Sequence, residues 1–117
     1  MNFEQLDAYL RSKQGVTFDY PFDEKVRVYR IAEKIFALTS EDRPVSVNLK
    51  CDPIYALELR SLYNGIIAGY HMNKKHWNTI VCDGKVEDKL IESMIDDSYE
   101  LVFNSLTKKE KARISEG

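Results

Sequence analysis

Cysteine is scarce in this sequence, which contains only Cys51 and Cys82. Their spacing matches neither a CxxC motif nor a zinc ribbon, so it gives no support to a redox pair or a cysteine-based zinc site. We expect both to be free thiols in a reducing cytoplasm, serving as small buried hydrophobic residues. The sequence therefore predicts neither a disulfide nor a catalytic thiol.

Long apolar runs are also missing. No run approaches the ~18 residues that a membrane span needs, and the first residues lack the basic and apolar pattern of a secretory signal. We therefore expect a cytoplasmic protein that does not associate with a membrane. The 117 residues are 44% hydrophobic and 31% charged, as in ordinary globular proteins. They predict one domain over residues 1–117, which we expect to be a monomer.

An excess of basic charge is absent as well. The chain has 17 Lys and Arg against 19 Asp and Glu, a net charge of −2, which argues against a nucleic-acid-binding domain that is basic overall. The balance is uneven along the chain, however. Residues 25–50 hold six basic and three acidic residues, a net +3, whereas residues 84–104 hold two and six, a net −4. A local basic face therefore remains compatible with the composition.

The first part of the chain predicts one helix and then a loop. Asn2 and Gln5 have the spacing of a capping box, and apolar residues recur at helical spacing after them, which predicts a helix over residues 3–13. Residues 17–23 are aromatic and contain Pro21. We expect them to form an ordered loop whose rings cover the core.

Three strands are predicted next. Residues 26–31 and 35–39 are rich in β-formers, and residues 32–34 between them predict a hairpin tip. Residues 45–50 alternate with period two. This alternation predicts that Val45, Val47 and Leu49 face the core and that Ser46, Asn48 and Lys50 face water.

The second half predicts two long helices separated by two strands. Asp52 and Pro53 favour a helix start, residues 66–70 predict a short strand or extended loop, and residues 76–82 predict a strand. A long helix is expected over residues 87–104, and Thr107 opens a short terminal one. The order α-β-β-β-α-β-β-α predicts an α+β two-layer sandwich, with helices packed on an antiparallel sheet of about five strands.

Signatures of catalysis are missing. The sequence has no GxSxG, P-loop, GxGxxG or HExxH motif. His71 and His76 are five residues apart, with no cysteine or carboxylate beside them to complete a metal site. We expect no metal and no cofactor. The prediction is a protein that is not an enzyme, and a catalyst using His71 or His76 is the least favoured alternative.

Residues 69–79 are chemically the densest segment. They contain both histidines, the only tryptophan and two adjacent lysines. Cations beside rings can meet a phosphate backbone and a base, and asparagines can donate to phosphate or read an adenine edge. The competing interpretation makes Trp77 a core ring and the lysines the decoration of a loop. The residues alone leave both interpretations open.

The run Gly69-Tyr70-His71-Met72-Asn73-Lys74-Lys75-His76-Trp77-Asn78-Thr79 resembles the signature of the MmcQ/YjbR family of small bacterial proteins. Lys50-Cys51-Asp52-Pro53 and residues 95–102 resemble it too, so the likeness covers nearly the whole chain. The resemblance implies an α/β sandwich similar to CyaY or to secretion chaperones. It also implies a DNA-binding role by analogy with a phage "double wing" transcription factor.

These observations give two functional hypotheses. The first is weak, salt-dependent DNA binding through the sheet and its hairpins. The residues predicted to bind nucleic acid are Lys34, Arg43, Lys74, Lys75 and His76. The alternative is a small-molecule or peptide pocket. The residues predicted for this motif or pocket are Tyr70, His71, Asn73, Trp77 and Asn78.

Overall fold

The computed structural model describes residues 1–69 and 72–116, so the predicted site residues Tyr70 and His71 lie outside the described residues. The described helices are α1 (Phe3–Arg11), α2 (Pro53–Leu62), α3 (Asp88–Asn104) and α4 (Lys108–Glu116). The described strands are β1 (Thr17–Asp19), β2 (Val26–Ile31), β3 (Lys34–Ser40), β4 (Ser46–Lys50), β5 (Ile66–Ala68) and β6 (Trp77–Val81). No helix in this part of the chain is long and apolar enough to cross a bilayer.

The helices begin where their capping residues predict. The Asn2 side chain accepts a hydrogen bond from the backbone N–H of Gln5, whose side chain accepts one from the backbone N–H of Asn2. Asp52 caps α2, with Pro53 at its first position. At the start of α4, the Thr107 hydroxyl accepts a hydrogen bond from the backbone N–H of Glu110, and the Glu110 carboxylate accepts one from the backbone N–H of Thr107. Each cap satisfies backbone donors that the first helical turn leaves without partners.

The strands form one antiparallel sheet in the order β1-β2-β3-β4-β6-β5. The α+β fold class is therefore confirmed, and the sheet has six strands where about five were expected. The sixth is β1, which pairs with β2 along the edge. The prediction that residues 17–23 form a loop is confirmed for residues 20–23 and wrong for residues 17–19, which form β1. The prediction that their rings cover the core was wrong. Phe18, Tyr20 and Phe22 are 41%, 38% and 63% exposed. Phe18 lies in the edge strand, with the guanidinium groups of Arg11 and Arg27 over its ring at 5.1 and 4.2 Å.

The main core lies between one face of the sheet and the helices. Leu6 and Leu10 of α1 and Ile91 and Ile95 of α3 are fully buried against it. The apolar side chains that the sheet contributes include Tyr29, Ile31, Phe36, Ala37, Val47, Leu49, Ile66 and Ile80. Ser98 of α3 donates to the carbonyl of Phe36 at 2.6 Å and accepts from the backbone N–H of Lys50 at 2.9 Å. This hydroxyl therefore ties the longest helix to two strands.

The opposite face of the sheet has a smaller core of its own. Val26, Val28, Leu38 and Trp77 are buried together there, with Met72 packed against them. The prediction that Asn48 faces water was wrong, because it is only 2% exposed. Its side-chain oxygen instead accepts a hydrogen bond from the Thr79 hydroxyl at 2.6 Å. The side chains of β4 alternate between the two faces of the sheet, as predicted. Both faces carry buried side chains, however, so the alternation does not distinguish buried residues from solvent-exposed ones.

Candidate nucleic-acid interface

The sheet has two distinct ends, and its register shows which loops share an end. Ala37 of β3 lies opposite Leu49 of β4, and Leu49 lies opposite Asn78 of β6. The start of β3, the end of β4 and the start of β6 therefore lie at the same end of the sheet. The β2–β3 turn and the 72–76 turn before β6 are both at this end, which we call the tip end.

Four lysines come to the tip end. Lys34 opens β3, Lys50 closes β4 opposite Trp77, and Lys74 and Lys75 are exposed in the 72–76 turn. None of the four forms an ion pair with a carboxylate among residues 1–69 and 72–116. The Lys34 ammonium donates to the carbonyl and the hydroxyl oxygens of Ser105, each at 3.3 Å. The tip end therefore gathers four lysines that form no ion pair with a described carboxylate, and Glu33 in the β2–β3 turn and Asp52 at the start of α2 lie at the same end. Hydrogen bonding to Thr107 lowers the pKa of Glu110, and the charge of Lys34 contributes to this lowering.

Several cations elsewhere in the chain are paired with carboxylates. Arg27 contacts Asp7 at 2.7 Å, Arg30 contacts Asp19 at 2.9 Å, and Lys13 contacts Asp96. These pairs tie β2 to α1, β2 to β1, and the end of α1 to α3. The basic residues of β2, which contribute to the positive charge of residues 25–50, are therefore committed to holding the fold together.

Arg43 is not brought together with the lysines. It is exposed in the loop between β3 and β4, and Ser40, Ser46 and Val81 lie opposite one another where that loop begins and ends. This is the end of the sheet away from the tip end. A five-residue strand separates the two ends by roughly 16 Å. Arg43 thus lies on a different part of the surface from the other predicted nucleic-acid residues.

The 72–76 turn is held by its own polar groups. The Asn73 side chain accepts a hydrogen bond from the backbone N–H of Lys75 at 2.8 Å, an arrangement typical of tight turns. The backbone N–H of His76 donates to the carbonyl of Asn73 at 3.2 Å, and the His76 carbonyl accepts from the backbone N–H of Cys51 at 2.7 Å. Asn73 and half-buried His76 therefore shape the turn that presents Lys74 and Lys75.

Arg60, which the sequence reasoning missed, reaches the same turn from α2. Its Nε donates to the side-chain oxygen of Asn78 at 2.6 Å, and its Nη2 donates to the carbonyls of Trp77, at 3.2 Å, and of Lys74. The sequence contains only a weak indication that Arg60 points towards the sheet. Arg60 follows buried Ala56 by four residues, which places both on the same face of the helix.

Trp77 and Asn78 are buried, at 5% and 1% exposure. Trp77 belongs to the second core, and the Asn78 amide donates to the carbonyl of Ala56 at 3.3 Å besides accepting from Arg60. Of the two interpretations of Trp77, the structure supports the core ring. Neither side chain presents a surface on which a base could stack or a ligand could rest.

A cavity of only about 10 Å³ has Asn78 in its lining, and a larger cleft lies between the start of α2 and α3. It encloses about 240 Å³ and is lined by Cys51, Asp52, Tyr55, Asp97, Glu100, Leu101 and Asn104. Ligand pockets usually enclose about 300–1,000 Å³, so this cleft is small, and Trp77 does not line it. Burial, with Glu100 and Asp96 adding repulsion, raises the pKa of Asp97. Among the described residues, no three His, Cys, Asp or Glu side chains are placed to hold a metal ion.

Both cysteines are free thiols, as predicted. Burial raises the pKa of Cys51 and of Cys82 to about 11, with acidic neighbours adding to the effect at each. A reactive cysteine requires the opposite environment, one that stabilises the thiolate. Cys51 is buried, as predicted, whereas Cys82 is only partly buried.

Comparison with known proteins identifies the family. A family model described as YjbR matches residues 11–101. The chain is 39% identical to the uncharacterized protein YbdF of Escherichia coli O157:H7 over 84% of this chain and 81% of that protein. It is 30% identical to the uncharacterized protein YjbR of E. coli K12 over 95% of each.

Solved structures agree with this result. A crystal structure of a Deinococcus radiodurans protein with a DUF419 domain superposes with a TM-score of 0.89 at 30% identity, covering 97% of this chain and 88% of that one. A Pseudomonas syringae protein superposes with a TM-score of 0.76 at 31% identity, covering 86% and 98%. The family model, the relatives and the shared fold lead to one conclusion: the chain belongs to the YjbR family.

Proposed function

We propose that this protein binds the phosphate backbone of duplex DNA through the tip end of its sheet. The observation that carries the proposal is the group of four lysines without described ion-pair partners: Lys34, Lys50, Lys74 and Lys75. Cations of this kind neutralise phosphates and release counterions, which is the main source of sequence-independent DNA affinity.

The placement of the two tips fits a double-wing arrangement. In the strand order, the β2–β3 pair and the β6–β5 pair have centres three strand spacings apart. Neighbouring strands are about 4.8 Å apart, so the two tips are separated by roughly 14 Å. That separation is comparable to the ~12 Å width of the DNA major groove. Two lysine-bearing tips at this separation can contact phosphates on both sides of one groove, with Lys50 between them.

Binding of this kind reads the shape and charge of DNA more than its sequence. Trp77 and Asn78, which could have recognised bases, are occupied within the protein. The lysines would contact phosphates, and phosphate contacts orient a protein on DNA without distinguishing one base from another. We therefore expect similar affinities for duplexes of different sequence.

The test is fluorescence anisotropy with a labelled 20-base-pair duplex at low salt. The double variant Lys74→Gln/Lys75→Gln removes two of the four phosphate contacts and is expected to lower affinity about tenfold or more. It should also reduce the steepness of the salt dependence by about two units, because each neutralised phosphate contributes about 0.9. Both side chains are exposed, so the fold should be unaffected.

The chain offers matched controls at the other end of the sheet. Lys85→Gln/Lys89→Gln removes the same charge from two exposed lysines near the start of α3, and Arg43→Gln removes one cation from the β3–β4 loop. The proposal predicts that both controls bind nearly as tightly as the wild type. Equal losses in the Lys74/Lys75 variant and in these controls would mean that overall charge, and not the tip end, governs binding.

A further inference from the structure

One side chain connects α2 to the tip that carries two of the four lysines. The Arg60 guanidinium donates to three oxygens: the side-chain oxygen of Asn78 and the carbonyls of Trp77 and Lys74. The first acceptor lies within β6, the second at its start, and the third inside the turn itself. Asn78 is in turn fixed to α2 by its amide, which donates to the carbonyl of Ala56 at 3.3 Å.

We propose that Arg60 is a positioning residue for the DNA-binding tip, holding the 72–76 turn so that Lys74 and Lys75 face the phosphates. This inference rests on the proposed function. Arg60 bonds the carbonyl of Lys74, and Asn73 bonds the backbone N–H of Lys75 at 2.8 Å. The backbone at both lysines is therefore fixed before any ligand arrives. A preorganised site does not lose the entropy of ordering its loop when it binds.

The role depends on the shape of the guanidinium and not on its charge alone. A guanidinium is planar and presents five N–H donors in a fixed fork, whereas an ammonium is a compact point charge on a flexible stem. The fork lets two separate nitrogens, Nε and Nη2, reach three acceptors on a strand and a turn, whereas a lysine offers a single nitrogen. Arg60 is half-buried and has its Nε and Nη2 engaged by the protein, so its main contribution is to the turn.

The experiment compares Arg60→Lys, which keeps the charge, with Arg60→Gln, which removes it. We expect both to lower affinity for the labelled duplex by about 3- to 10-fold, the factor that corresponds to ordering one or two flexible side chains on binding. Hydrogen exchange followed by mass spectrometry should show faster exchange at residues 73–76 in both variants without DNA. Arg113→Lys and Arg113→Gln on exposed α4 are the matched controls and should change neither measurement.

A second variant tests the same idea without touching the buried contacts. Asn73→Ala removes the side-chain hydrogen bond to Lys75 from an exposed position, so it should fold normally, exchange faster in the turn and bind DNA more weakly. The inference is overturned if Arg60→Lys binds as tightly as the wild type. It is equally overturned if exchange in the turn rises in the Arg60 and Asn73 variants while their affinity is unchanged.

Failure of the proposed function gives a different pattern. If Lys74→Gln/Lys75→Gln binds DNA like the wild type, the tip is not the DNA site, and that result overturns both proposals as statements about DNA. The exchange measurement without DNA still reports separately whether Arg60 orders the turn. The two failures are therefore distinguishable.

Discussion

At the scale of single residues, arginines hold this fold through contacts that lysine cannot replace. Arg27 on β2 bonds Asp7 of α1 at 2.7 Å and the Tyr20 hydroxyl at 2.7 Å. Its guanidinium also lies over the rings of Phe18, at 4.2 Å, and of Phe3, at 5.3 Å. One side chain thus attaches both α1 and the exposed edge strand β1 to the rest of the sheet.

We expect Arg27→Lys to lower the free energy of unfolding by about 1–3 kcal/mol, because the variant keeps the charge but loses the planar fork and most of the stacking. Chemical denaturation in urea measures the change. Arg11→Lys is the matched control, since Arg11 also contacts Asp7, at 3.5 Å, and lies over Phe18, but is mostly exposed. The control should change stability by less than about 0.5 kcal/mol. Equal effects of the two substitutions would contradict this account of Arg27.

The two thiols provide a prediction about pH. Their pKa is about 11 in the folded chain against an ordinary value of 9.0, so the folded state holds these protons to higher pH than the unfolded state. Their contribution to stability is therefore complete below pH 9 and is lost as pH rises towards about 11. Alkylation by iodoacetamide should be slow near pH 7, with a midpoint near pH 11. In urea the midpoint should return to about 9. A folded-state midpoint below 9 would show that the thiols are activated.

At the scale of elements, sequence motifs correctly predicted the features that depend only on residues close together in the chain. Asn2, Asp52 and Thr107 marked three helix starts correctly because a cap acts within four residues of chain. Strand β1 was missed because three exposed residues show no alternation, and it is a strand only because β2 lies beside it. Asn48 was misplaced for a related reason, since Trp77 and Met72, distant in sequence, belong to the core on its face. Arg60 was missed because its acceptors come from a different element.

The turn of the β2–β3 hairpin contains backbone strain that a substitution can relieve. Ala32 and Glu33 both have positive φ, 46° and 70°, as a tight two-residue hairpin turn requires. This conformation costs a non-glycine residue roughly 1 kcal/mol. Glu33→Gly should therefore raise the free energy of unfolding by up to about 1 kcal/mol, as measured by urea denaturation. The control Glu41→Gly, at an exposed loop position without positive φ, should be neutral or destabilising. A destabilised Glu33→Gly variant would contradict the assignment of strain to this turn.

At the scale of the whole molecule, the fold of an acidic chain brings four lysines to one end of the sheet. Acidic residues of α3 lie in the helix layer, whereas Arg27 and Arg30 of β2 are used in internal pairs. The four tip-end lysines come from three separate segments of the sequence. The uneven charge along the chain predicted that a basic surface was possible. It did not predict this surface, because register alone brings Lys34, Lys50 and Lys74 to one end and carries Arg43 to the other.

The most direct test of DNA binding at the tip end is the salt dependence of wild-type affinity for a labelled 20-base-pair duplex. With four lysines contacting phosphates, the logarithm of the binding constant should fall linearly with the logarithm of salt concentration, with a slope of about −3.6. Lys74→Gln/Lys75→Gln should reduce the slope to about −1.8. No binding at low salt, or the same slope in the wild type and the double variant, would contradict the assignment.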